Sequence, residues 1–67
     1  MTGDDELLRE ALGDLHKGDT VERALGRIVR RHGRTYEDYL RIMDSVRDLA
    51  ARDRLTQMQA ARKLAHA

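Results

Sequence analysis

Five arginines crowd one short stretch of this 67-residue chain: Arg23, Arg27, Arg30, Arg31 and Arg34. A guanidinium is always charged, and its forked donors fit phosphate and carboxylate oxygens. On a helix, Arg23, Arg27, Arg30 and Arg34 recur at spacings of 4, 3 and 4 and share a face, with neighbours about 5–6 Å apart. Such a row can dock the phosphates of nucleic acid or the carboxylates of an acidic protein. The competing reading is a solvated face that pairs with the acids of the preceding segment. No aromatic residue interleaves with the row and the chain carries a net charge of only +1, so the competing reading leads.

Catalytic chemistry finds little support. His16, His32 and His66 stand near the ends of different segments, and none is four residues from another His or three from a Glu. The paired ligands that one helix face can offer a metal are therefore missing. His16 and His32 are expected at helix C-termini, where an imidazolium suits the helix dipole. The absence of Cys removes thiolate nucleophiles, thiolate metal sites and disulfides. Ser45 is the sole serine and falls off the apolar stripe of its segment. The like-charge pairs Glu6/Glu10 and Asp44/Asp48 would need burial to work as an acid–base couple. Their spacing to Arg47 and Arg52 suits solvated ion pairs instead. The expectation is a protein that is not an enzyme, needs no metal or cofactor and takes no small-molecule substrate.

Charge is distributed in blocks. Residues 1–19 sum to −4, residues 20–34 to +4 and residues 35–67 to +1. The opening Met1-Thr2-Gly3-Asp4-Asp5-Glu6 is acidic where a signal peptide is basic and then apolar. No uncharged apolar run approaches the roughly 18 residues of a membrane span. A cytoplasmic location is expected.

The elements that must position these side chains are helical, since no segment alternates in the manner of a strand. Leu7, Leu8, Ala11, Leu12 and Leu15 form one stripe, with Asp4, Asp5 and Glu6 in the first turn, Thr2 or Asp4 as cap and Gly18 as the stop. Gly13 offers room for a neighbouring helix. A second helix carries Val21, Ala24, Leu25, Ile28 and Val29, with Asp19 or Thr20 as cap, an Asp19–Glu22 capping pattern and Gly33 at its end. Thr35 caps a third helix whose apolar positions (Tyr36, Tyr39, Leu40, Ile42, Met43, Val46, Leu49 and Ala50) cover close to half its circumference. These boundaries place helices at about 4–17, 20–32 and 35–53. Beyond Asp53 the stripe fails. Thr56-Gln57-Met58-Gln59 can cap a new helix, but no Gly or Pro interrupts, so the balance leans to continuation to about residue 65.

The fold expected is an all-α single domain: a three-helix bundle, or a four-helix bundle if the last helix breaks near Asp53. Its core is expected to hold Leu7, Leu8, Leu12, Leu15, Leu25, Ile28, Val29, Tyr39, Leu40, Met43 and Val46. The turn at Gly33 does not read as a helix-turn-helix, because Glu37 and Asp38 at the groove-entering end would repel phosphates. The third helix offers more apolar surface than two neighbours can cover, and so small a chain has little stability to spare. Tyr36, Tyr39, Ile42, Val46 and Leu49 are therefore assigned to a protein interface, with Ile42, Val46 and Leu49 spaced as a dimer seam. The functional expectation is a non-catalytic interaction or regulatory protein that pairs with itself or with another protein. The alternatives are a nucleic-acid-binding regulator using the arginine row, and a monomer whose chain end folds back over the seam.

Overall fold

The computed structural model describes residues 3–66. All regular structure among them is helical: α1 (Asp4–Gly13), α2 (Val21–Arg31), α3 (Tyr36–Asp53) and α4 (Gln57–Ala65). α1 lies against α2 and α4, and α3 lies against the same two helices. Leu7, Leu8, Leu25, Ile28, Met43 and Val46 are the largest fully buried side chains, and no polar side chain is buried among the described residues.

α1 is shorter than its apolar stripe suggests. Gly3 occupies the N-cap position without a side-chain cap, and Asp4 is the first helical residue rather than the cap. Thr2 lies outside the described residues. The helix stops at Gly13 instead of running to Lys17, because Gly and Asp are weak helix formers and the next turn has stronger bonds elsewhere. Arg27 Nη2 donates to the Asp14 carbonyl at 2.7 Å and to the Asp19 carboxylate at 2.7 Å. Asp19 also accepts from the His16 backbone N–H at 2.9 Å. The connection is therefore seven residues rather than the two-residue loop the stop at Gly18 implied. His16 lies within it, away from the helix end. An added Cβ at Gly13 would meet nothing within 4 Å, so no helix makes a close approach there.

Thr20 caps α2, its hydroxyl accepting from the Arg23 N–H at 3.2 Å. The Asp19–Glu22 pattern is unused because Asp19 is engaged by Arg27 and His16. Gly33, at φ +66°, turns the chain and Thr35 starts α3 with a complete capping box to Asp38.

The helix does break after Asp53. Arg54 adopts the left-handed conformation at φ 56°, ψ 46°, and Thr56 with Gln59 forms a second capping box that starts α4. One helix across residues 36–65 would be about 45 Å long at 1.5 Å per residue, whereas the longest dimension of the protein is 32 Å. The radius of gyration of 10.9 Å is that of a compact chain of this length. Ala60, Ala61 and Ala65 are buried on α4, and their small side chains let it pack closely.

This fold-back corrects two expectations. Ile42, Val46 and Leu49, assigned to a seam with a second chain, are at most 5% exposed within this one, where α4 packs on α3. Leu40, placed in the core, is exposed. Leu12, Leu15 and Tyr39 are only partly buried, packed on the edge of the core.

Candidate ligand-binding groove

The arginine row divides into two sets. Arg27 is held by Asp14 and Asp19, Arg31 by Glu10 and Asp14, and Arg34 by Asp38 at 3.0 Å. Arg31 and Arg34 also draw on acids of α1, Arg34 facing Asp4 at 3.9 Å. Arg23 and Arg30 have no acidic partner among the described residues. They are seven residues apart on α2, which puts them on one face and about 10.5 Å apart along the axis.

This pairing has a visible electrostatic signature. The hydrogen bond from Arg27 holds the Asp19 carboxyl down to about 2. Arg34 does the same for Asp38, again to about 2. Arg41 bonds Asp4 at 2.9 Å and lowers its pKa in turn. Together these pairs tie the start of α1 to the start of α3 and the loop after α1 to α2.

Arg23 and Arg30 border an open groove of about 810 Å³ whose other lining includes Gly26 of α2 and Tyr36 and Tyr39 of α3. The four-residue turn between α2 and α3 is what brings the two tyrosines to the arginine face. Tyr36 is 69% exposed. Its ring centroid lies 5.6 Å from that of Tyr39, with the planes tilted by 38°. Tyr39 is half-buried while Tyr36 is exposed, and that burial pushes the Tyr39 phenol above its ordinary pKa. Glu22, the acid among the lining residues, is paired with Arg47 at 3.4 Å. Gly26 is among the lining residues, and a Cβ there would meet nothing within 4 Å.

The arginines and tyrosines, read from the sequence as separate features, thus line one groove. Gly26 was not singled out by the sequence reading. Its position, three residues after Arg23 and four before Arg30, carries that signal, since this spacing puts all three on one helix face. The remaining candidates stay apart. His16 lies in the loop, while His32 and His66 cap α2 and α4. His32 Nε2 is 3.1 Å from Glu10. No group of three or more His, Cys, Asp or Glu among the described residues is placed to hold a metal. The Ser45 hydroxyl donates to the Arg41 carbonyl at 3.2 Å. No helix among the described residues is long and apolar enough to cross a membrane.

Comparison with protein-family models, with curated proteins and with solved structures finds no match for this chain.

Proposed function

We propose that this protein is a small non-catalytic binding module that acts as a monomer and holds an anionic macromolecule in the α2–α3 groove. The observation that carries this reading is the pair Arg23 and Arg30, left unneutralised on one face while their neighbours are matched to acids. An acid-free guanidinium pair beside an exposed aromatic ring supplies both charge attraction and contact area. The burial of Ile42, Val46 and Leu49 inside the chain supports the monomer, since those three residues are not free to form a seam with a second chain.

The test is binding of two labelled polyanions, an oligonucleotide and a polyglutamate peptide, at 20–200 mM salt (a range spanning roughly threefold in Debye length). The expected result is binding to at least one, weakening as salt rises and lost in the double variant Arg23→Gln/Arg30→Gln. A wild-type protein that binds neither at the lowest salt would end this reading. Sedimentation at micromolar concentration should give the 7.7 kDa mass of a single chain.

A further inference from the structure

We infer that the occupant of this groove is a single-stranded nucleic acid, with Arg23 and Arg30 on its phosphates and a base stacked on Tyr36; the inference rests on the binding function proposed above. Three observations carry it. First, Arg23 and Arg30 are spaced about 10.5 Å along the axis of α2, and the groove they border is also lined by the tyrosine pair of α3. A positive track beside an aromatic platform is the combination that holds single strands without reading their sequence.

Second, Tyr36 is a platform rather than a core residue. It is 69% exposed, and its ring touches only the tilted ring of Tyr39 among the aromatic side chains, at a centroid distance of 5.6 Å. A duplex keeps its base faces stacked internally and has none to offer Tyr36. An acidic peptide would satisfy the arginines but leaves the ring without a planar partner.

Third, Gly26 is hard to account for within the fold. It sits in the middle of α2 with no positive φ and no neighbour that a side chain would strike. Glycine weakens a helix interior, and here the weakening returns no packing. What the missing side chain leaves is bare backbone between Arg23 and Arg30, where a sugar–phosphate strand can lie close.

The probe is a fluorescent oligothymidylate of eight nucleotides, followed by anisotropy against salt. Two phosphates neutralised on a single strand give a slope of log K on log salt of about −1.4, and Arg23→Gln or Arg30→Gln should each reduce it by about 0.7. Tyr36→Ala should weaken binding on the order of tenfold with the slope unchanged, while Tyr36→Phe keeps the affinity. Gly26→Met should raise the melting temperature and yet weaken binding, a pairing that a purely structural role for Gly26 does not produce. Equal affinity for the matching duplex overturns the inference. So does a Tyr36→Ala variant that binds as wild type. Polyglutamate bound more tightly than the oligonucleotide also overturns it while leaving the binding function standing; failure of both probes removes the two together.

Discussion

The break between α3 and α4 can be tested by the sign of a single difference. Arg54 is the only non-glycine residue with positive φ among the described residues. In that conformation a side chain crowds the following carbonyl, at a cost of roughly 1–2 kcal/mol that glycine escapes. Part of this gain is offset by the greater freedom of glycine in the unfolded chain, worth about 0.5–1 kcal/mol. Comparing Arg54→Gly with Arg54→Ala removes the guanidinium charge from both variants and isolates the backbone contribution. With the observed geometry, Arg54→Gly should be the more stable of the two by about 1 kcal/mol. In a domain of this size that is about 4–8 °C in melting temperature. If the chain continued as one helix through Arg54, glycine would sit in a helix interior and Arg54→Ala would be the more stable by about 1 kcal/mol. Thr56→Ala provides a second sign. As the loss of a cap it should cost about 1 kcal/mol, whereas in a continuous helix alanine would stabilise. Thermal melts followed by circular dichroism at 222 nm read both. An Arg54→Ala variant that melts above Arg54→Gly, with Thr56→Ala above wild type, would refute the break.

Two further outcomes follow from the core and the ion pairs. Val46 is fully buried, so Val46→Asp places a carboxylate among apolar side chains and consumes the roughly 3–5 kcal/mol available to so small a core. The helical signal at 25 °C should be lost, and a folded Val46→Asp monomer would show instead that this face is open to solvent. Asp19 and Asp38 have folded-state values depressed to about 2, so their stabilisation is fully present above the unfolded value near 4 and is lost as pH falls through about 2. The urea midpoint should therefore be steady between pH 7 and 5 and drop below pH 4. Asp19→Asn should flatten that drop, and an unchanged acid limb would remove the Arg27–Asp19 pair from the account.

How much of this was legible in the sequence depended on whether the deciding interaction was local. The capping boxes at Thr35 and Thr56 are written within four residues, and both form. The stripes of α1 and α2 mark buried faces by periodicity alone, as with Leu7, Leu8, Leu25 and Ile28. What failed was non-local. The end of α1 is set by Arg27 reaching back across the loop to Asp14 and Asp19, a competition that helix propensity does not contain. The stop at Arg54 has no Gly or Pro to announce it, and only the cap that follows gives it away. The excess apolar width of α3 was real, but it could be covered by a second chain or by the rest of this one, and periodicity is the same in both cases. The groove was hidden for a similar reason: its arginines and tyrosines belong to different helices, and a turn has to fold before they meet.

The division of the arginine row also explains how so small a fold can present a defined surface. Exposed ion pairs contribute little to stability, typically under about 1 kcal/mol each, so Arg27, Arg31, Arg34 and Arg41 are poorly described as what holds the protein together. Their effect is on orientation. Arg27 fixes the loop after α1 to the middle of α2, Arg31 and His32 set the end of α2 against Glu10, and Arg34 and Arg41 fix the start of α3 through Asp38 and Asp4. Apart from that of Arg27, these contacts lie toward the ends of the two helices that form the groove walls. A wall held before a ligand arrives need not be ordered on binding, and that lowers the entropic cost of association. In the proposed binding function, the acids of the first block would serve the groove indirectly. They pair with three arginines of the row, leaving Arg23 and Arg30 without an acidic partner among the described residues. The opposite charges of the two opening blocks of the sequence are in this sense one feature: a negative segment laid against a positive one, with two cations left over beside Tyr36.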